Sequence, residues 1–168
     1  MEKPYIPFYK PYGMSDEEYN YEVRLAEQKY AEWEEYQKQN MKTLLWLDDV
    51  RDPFDKDFTP YVALYNPFLN QPHKIIWVKN YEEFLDVIFN EMPDAISFDH
   101  DLALEHYDED IKPEDYVERT GMDCVRTLVI YCIERELKLP LCIYHTANPA
   151  GKINMETYIN NAKKHLGL

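Results

Sequence analysis

The sequence predicts an α/β fold: a four-stranded parallel sheet covered by helices on both faces, with one further helix ahead of it. Three observations predict it. Four short segments, at 43–48, 74–78, 95–99 and 141–145, read as strands, and the apolar runs in the first, third and fourth have the length and composition of strands buried on both faces. Helical patterns at 80–90, 120–138 and from 154 onward separate or follow them, the alternation that gives right-handed crossovers and a parallel sheet. Three of the runs also end alike. Leu44-Leu45-Trp46-Leu47 runs into Asp48-Asp49, Ala95-Ile96-Ser97-Phe98 into Asp99-His100-Asp101, and Leu141-Cys142-Ile143-Tyr144 into His145-Thr146. Ligands of open parallel sheets bind beyond the carboxyl ends of the strands. In the expected strand order, 2-1-3-4, these acids and imidazoles stand side by side.

The elements follow in chain order. Residues 1–14 carry three prolines and one glycine and read as an extended arm. Ser15 suits the N-cap of a helix over 16–39, whose first-turn acids at 16–18 complement the helix dipole. Tyr19, Val23, Ala26, Tyr30 and Trp33 form one apolar stripe, expected to bury against the domain or against a partner's helix, including another copy of the chain. The chain thus divides into an arm and amphipathic helix, 1–40, and an α/β domain, 41–168. Pro53, Pro60, Pro67 and Pro72 exclude a long helix after the first strand. Asn80 caps the next helix, with Glu83 at the capping-box position and Phe84, Leu85 and Ile88 facing inward. Residues 102–120 form a long acidic loop, of the kind that serves as a lid or stays disordered. Thr120 and Asp123 frame a helix start, and Met122, Val125, Val129, Cys132 and Ile133 are its expected buried face. The last helix buries Met155, Tyr158, Ile159 and Ala162 and stops near Gly167.

Composition narrows the function. A net charge of −14 over 168 residues supplies no basic surface for a long nucleic acid. A phosphate-bearing partner is therefore small, or only its end is recognised, or a cation screens the site. No apolar run is long enough to span a membrane, and the N-terminal residues have no signal-peptide core. Cys124, Cys132 and Cys142 form no CxxC pair and fall in apolar segments, which reads as buried thiols in a reducing compartment, the cytoplasm, or the host cytoplasm for a viral protein.

The strand ends resemble those of receiver domains: LLWLDD matches the first-strand acidic pair, AISFDHDL the third strand with its aspartate Asp99, and LPLCIYHTA the fourth strand ending at a hydroxyl, Thr146. Two departures stand out. The fifth strand of receivers and its lysine have no counterpart, so the fold reads as a truncated, receiver-like three-layer sandwich. Histidines also intrude, at His100 and His145. Those departures are similar to the cyclic-phosphate processing receiver-like family, whose pattern is LDDxR, FDHDL, TGxD and HTxNP. This chain shows Leu47-Asp48-Asp49-Val50-Arg51, Phe98-Asp99-His100-Asp101-Leu102, Thr120-Gly121-Met122-Asp123 and His145-Thr146-Ala147-Asn148-Pro149. The resemblance covers 43–166 and implies an activity on cyclic phosphate groups, in RNA repair or nucleotide signalling.

Each residue has a plainer reading beside the functional one. Asp48, Asp49 and Asp99 suit one Mg²⁺ or Mn²⁺, three oxygen donors with waters completing the shell; alternatively one of them caps a turn. His100 and His145 suit the acid and base of phosphodiester opening, or else each donates to a nearby carbonyl. Asp101 orients a histidine as part of the catalytic group, or caps a turn. Arg51 offers paired donors to a phosphate, or pairs with an acid. Thr146 and Asn148 offer hydrogen bonds to phosphate oxygens, and Asn148-Pro149 is also an ordinary turn. Asp123 reads better as a cap than as a catalytic group. His73, His106 and His165 receive no role, and Lys152 does not replace the missing receiver lysine.

The expected function is a metal-assisted phosphodiesterase opening a cyclic phosphate, at a 2′,3′-cyclic RNA end or in a small cyclic nucleotide. The alternative is a receiver-derived protein that binds a nucleotide or docks a protein without turnover, a role suited to conflict between phage and host. Phosphorelay signalling is disfavoured by the absent lysine.

Overall fold

The structure is a computed structural model that describes residues 3–103, 110, 112 and 117–166. The chain forms two compact units, Met1–Met41 and Lys42–Leu168. In the first, helix α1 (Asp16–Gln39) starts at a complete capping box. The Glu18 N–H donates to Ser15 Oγ at 3.2 Å, and the Ser15 N–H donates to the Glu18 carboxylate at 3.0 Å. The stripe is half-buried, and the arm lies on it. Tyr19 donates its hydroxyl to the Pro7 carbonyl at 3.3 Å, and the Lys3 ammonium sits 5.5 Å from the ring centres of both Tyr30 and Trp33. The stripe thus finds a cover within its own unit, one that the sequence reading did not weigh.

In the second unit, β1 (Lys42–Leu47), β2 (His73–Val78), β3 (Ala95–Phe98) and β4 (Leu141–Tyr144) make one parallel sheet in the order β2-β1-β3-β4, as expected. The strands stop one residue earlier than the sequence suggested at β1, β3 and β4. The ladder nonetheless continues through the next N–H of each: Asp48 donates to the Val78 carbonyl, Asp99 to Leu47 and His145 to Phe98, at 3.0, 2.9 and 3.0 Å. The three chemical strand ends are therefore locked side by side by backbone bonds.

Alternation along β1 divides the core. Leu45 and Leu47, with Ile96 and Phe98, pack under helices α3 (Tyr81–Asn90), α4 (Gly121–Glu134) and α5 (Pro149–Leu166), which supply Phe84, Ile88, Val125, Leu128, Met155 and Ile159. Leu44 and Trp46 face the other way, onto Val62 and Phe68 of the proline-rich segment. That second layer is thin. Its one helix, α2 (Thr59–Leu64), is confined by the prolines to six residues.

Several boundaries differ from expectation, for identifiable reasons. Helix α4 ends at Glu134, not near 138. Glu136 takes φ 55°, and the N–H groups of Glu136 and Leu137 return to the carbonyls of Ile133 and Cys132, a Schellman stop made without glycine. Its buried face includes Cys124 and Leu128, whereas Ile133 is exposed. Helix α5 starts at Pro149, five residues early, because Asn148 Oδ1 accepts the Gly151 N–H at 2.9 Å and Pro149 needs no partner at the first helical position. At α3 the Asn80 cap forms, but Glu83 accepts the N–H of Lys79 instead of closing a box on Asn80. Cys124 and Cys132 are buried free thiols, and Cys142 is half-buried. Burial pushes the Cys132 thiol up to about 11 and that of Cys142 up to about 12, which leaves both unreactive. The expected acidic lid falls mostly outside the described residues, as do His106 and Gly167. Among the described residues, no helix is long and apolar enough to cross a membrane.

Candidate functional site

The carboxyl ends of the strands carry two groups of chemical side chains. The first is an acidic pocket. Asp48, Asp49 and Asp99 each present an oxygen within 4.8 Å of the others. Asp48 follows β1 and is completely buried; its Oδ1 accepts the backbone N–H groups of Val50 and Arg51, at 3.0 and 2.7 Å. The turn so formed swings Arg51 back over the pocket. There its Nε lies 2.5 Å from Asp48 Oδ2 and its Nη2 lies 2.5 Å from Asp99 Oδ2. Nη1 donates to the Tyr61 hydroxyl at 2.7 Å and to the His145 carbonyl at 3.1 Å. The Tyr61 hydroxyl donates to that same carbonyl. Arg51 is therefore engaged by acids, the plainer of its two readings, and not extended toward solvent for a phosphate.

The charges of the pocket explain its titration. Burial alone would lower the Arg51 pKa, but Asp99 and Asp48 raise it above its already high value. Burial works against ionisation of Asp48, yet the His145 hydrogen bond, the Arg51 backbone and the Arg51 charge hold its carboxyl below the ordinary value. Asp49 goes the other way. Burial raises its pKa, and the neighbouring Asp48 and Asp99 charges add to the rise. Its Oδ1 is buried with no hydrogen-bond partner. Three carboxylates against one guanidinium leave two negative charges and an orphaned oxygen, a donor set that fits one hard divalent cation.

His145 belongs to this first group but lies beneath it. The ring is 1% exposed. It stacks on Trp46 with centroids 4.0 Å apart and an interplanar angle of 14°, and it meets Tyr61 and Tyr65 at its edges. Both nitrogens are taken: Nε2 lies 3.0 Å from Asp48 Oδ2, and Nδ1 lies 2.8 Å from Ser97 Oγ. Burial lowers its pKa, against the pull of Asp48. That geometry is one of support, not of contact with a substrate.

The second group forms where His100 meets the starts of α4 and α5. His100 Nδ1 lies 2.7 Å from Asp101 Oδ1. The His100 carbonyl accepts the Gly121 N–H at 2.7 Å, so α4 begins directly on it. On the other side Gly151 is pressed to the imidazole: a Cβ there would lie 2.4 Å from His100 Cγ. Asn148 divides its amide between the α5 cap and this pair. Oδ1 takes the Gly151 N–H, and Nδ2 approaches Asp101 Oδ1 at 3.3 Å and His100 Nδ1 at 3.4 Å. Thr146 Oγ1 accepts the Asn148 N–H at 3.1 Å, and its own O–H remains a donor. Asp123 accepts the Thr120 N–H and hydroxyl, both at 3.0 Å, and so acts as a helix cap. A cavity of about 500 Å³ opens here, with His100, Asp101, Thr120 and Asn148 on its wall together with Arg119 and Arg126.

The two histidines therefore do not share a surface. His145 packs on Trp46, and His100 packs against Gly151. Sequence reasoning missed Tyr61, Ser97, Trp46, Arg119 and Arg126. For two of these a signal existed, because Trp46 and Ser97 stand two residues before Asp48 and Asp99 and so face the same way. Tyr61 lies in a segment without a periodic pattern, and the two arginines lie outside every motif.

The comparisons agree with this architecture. No curated protein and no solved structure matches the chain. The family model of the cyclic-phosphate processing receiver domain matches residues 43–161. That span takes in the four strands except Lys42, the acidic pocket, His100 with Asp101, and most of α5, so the chain belongs to the cyclic-phosphate processing receiver domain family.

Proposed function

We propose that the domain is a phosphodiesterase that opens a cyclic phosphate ester and releases a phosphomonoester. The observation that carries the reading is the His100–Asp101 pair on the wall of a cavity of about 500 Å³. Asp101 accepts the hydrogen bond of the Nδ1–H and so fixes the tautomer, which leaves Nε2 for proton transfer. Nε2 accepts a proton from the attacking water as its oxygen bonds to phosphorus. It then returns that proton to the ester oxygen as the ring bond breaks. Thr146 holds the Asn148 backbone through its hydroxyl oxygen, and Asn148 keeps Asp101 and His100 in register.

Asp48, Asp49 and Asp99 would hold a Mg²⁺ or Mn²⁺ ion, which when bound neutralises phosphate charge and acidifies water. Arg51 would give up its hold on Asp99 to admit it. His145 acts as a positioning group that fixes Asp48. These roles revise the expected pair of catalytic histidines to a single one. The net charge of −14 favours a small cyclic nucleotide or an RNA end as substrate.

The test is direct. Nucleoside 2′,3′-cyclic monophosphates and an oligonucleotide with a 2′,3′-cyclic end are incubated with the protein, with Mg²⁺ or with chelator, and products are followed by ³¹P NMR. A linear phosphomonoester from the wild type, absent with His100→Ala and reduced with Asp101→Asn, is the expected result. Wild-type rates in His100→Ala would sink the mechanism. Recovery of bound, intact ligand instead supports a second reading, nucleotide binding without turnover. That reading is favoured by Arg51, whose guanidinium already neutralises Asp48 and Asp99 without an ion.

A further inference from the structure

We propose that the seam between α4 and α5 is the nucleoside subsite of this site, holding the sugar and base of a single nucleoside whose cyclic phosphate lies at His100. The inference rests on the reading of His100 above and adds what lies beyond the phosphate. The cavity at His100 does not end there. Met122, Arg126 and Asn154 line it and also line a second cavity of about 260 Å³, whose remaining wall is Thr157, Tyr158 and Asn161. The two form one trough that starts at the imidazole and runs along the helices. Its volume is in the range of small-molecule sites, about 300–1,000 Å³.

The chemistry changes along the trough in the order a nucleotide requires. At the His100 end stands the guanidinium of Arg119, with that of Arg126 where the two cavities meet, in a chain whose net charge is −14. Arg119 lies over the Tyr81 ring at 4.8 Å, and Arg126 Nη1 is held by Asp123 Oδ1 at 3.2 Å. The wall also contains Asp101, Asp123 and Glu118, so the arginines offset acids there and the entrance does not attract a long polyanion. Farther along, charge gives way to side-chain amides, a hydroxyl and an aromatic ring. Asn154 and Asn161 carry both donors and acceptors, the combination that reads a base edge. Tyr158 and Met122 offer apolar surface for the face of a base or ribose. Arg126 stands at the junction, where phosphate meets sugar. Space for one nucleoside, flanked by an acidic surface, makes the recognised unit a single nucleoside carrying its cyclic phosphate, whether free or as the last residue of an RNA.

The experiment uses the full chain and the variants Arg126→Ala and Asn161→Leu; Asn161 is exposed on α5, so that change leaves the core intact. Binding of nucleoside 3′-monophosphate and of inorganic phosphate is measured by calorimetry and by amide NMR shifts. Turnover is measured on nucleoside 2′,3′-cyclic monophosphate and on glycerol 1,2-cyclic phosphate, which has no sugar or base. Each variant is expected to weaken nucleoside 3′-monophosphate binding about tenfold, the loss of one good hydrogen bond, and to raise the KM of the nucleoside 2′,3′-cyclic monophosphate by a similar factor. Asn161→Leu is expected to leave inorganic phosphate and the glycerol ester unaffected. Amide shifts at Asn154, Thr157 and Asn161 with the nucleotide, and none with phosphate, place the nucleoside in the seam. Unchanged affinity in both variants, or no nucleotide binding at millimolar concentration, overturns the subsite. Nucleotide binding that depends on Asn161 without any turnover leaves the subsite standing and removes the phosphodiesterase. Equal KM for the mononucleotide and for an oligonucleotide with a cyclic end shows that one terminal nucleoside is read in both. Exclusion of the oligonucleotide assigns the seam to the free nucleotide.

Discussion

Nε2 of His145 lies 3.0 Å from Oδ2 of Asp48, and neither side chain is open to water. The bond ties the end of β4 to the end of β1 across the intervening β3. It also settles the tautomer. A carboxylate only accepts, so the imidazole proton sits on Nε2, and Nδ1 takes the proton of the Ser97 hydroxyl 2.8 Å away. A neutral histidine with both nitrogens committed holds Asp48 for the acidic pocket without spending the carboxylate's negative charge.

His145→Ala is therefore expected to act on stability first. It leaves a buried carboxylate without one partner and opens a void beside Trp46, changes that cost about 3–5 kcal/mol. Urea unfolding measures that cost, and turnover per folded molecule should survive better than in His100→Ala. The reverse pattern, a stable but inactive His145→Ala, would return His145 to the reacting atoms.

The same pair predicts an acid limit. Burial lowers the His145 pKa, so below its ordinary value of 6.5 the unfolded chain binds a proton that the folded chain refuses. Stability is complete above 6.5 and falls as pH drops from there toward the folded-state value. Asp48, held below its ordinary 3.8, extends the loss at lower pH, where the unfolded chain gains a second proton first. Unfolding free energy measured from pH 8 to pH 4 should decline through the histidine range. In His145→Gln that part of the decline should vanish.

The legibility of this chain follows from what each element depends on. Strands buried on both faces are written in a few adjacent residues, so β1 and β3 could be read, as could the acids at their ends; β4 was read the same way but is a half-exposed edge strand, and no residue pattern states the strand order. Stop signals depend on geometry instead. The Schellman turn at Glu136 uses a positive φ without glycine, and no residue pattern marks it. The two histidines looked equivalent because each follows a strand next to its neighbour. What separates them is the direction that each ring takes: His145 goes down onto Trp46, and His100 goes toward Gly151. Arg119 and Arg126 come to His100 through tertiary packing alone.

The two glycines at His100 should separate folding from function. A Cβ at Gly121 would lie 1.9 Å from the Asp99 carbonyl oxygen, a backbone atom that cannot turn aside. Gly121→Ala must push α4 away from β3, and overpacking of this kind costs about 1–3 kcal/mol or more. At Gly151 the obstacle is the His100 ring, at 2.4 Å, so Gly151→Ala displaces the imidazole from Asp101. The expected outcome is a larger loss of thermal stability for Gly121→Ala, and for Gly151→Ala a loss of turnover out of proportion to its stability. Full activity in a folded Gly151→Ala would argue against His100 as the proton carrier.

Arg51 decides how the acidic pocket responds to cations. Its guanidinium already bridges Asp48 and Asp99, while Asp49 Oδ1 stays unpaired and the Asp49 carboxyl is held above its ordinary value. A raised carboxyl pKa gives stability that is complete below 3.8 and is lost as pH rises through the folded-state value. At neutral pH the pocket is thus strained by charge, and a divalent ion should relieve it. Adding millimolar Mg²⁺ or Mn²⁺ is expected to raise the melting temperature, with chelator reversing the gain. Arg51→Gln removes the resident positive charge. It should lower the melting temperature without the ion, and it should enlarge the rise that the ion produces, since the cation then faces three carboxylates with no competitor. Equal shifts in the wild type and Arg51→Gln would mean that the ion and the guanidinium occupy separate places. No shift in either would leave Arg51 as the permanent counter-charge of the pocket.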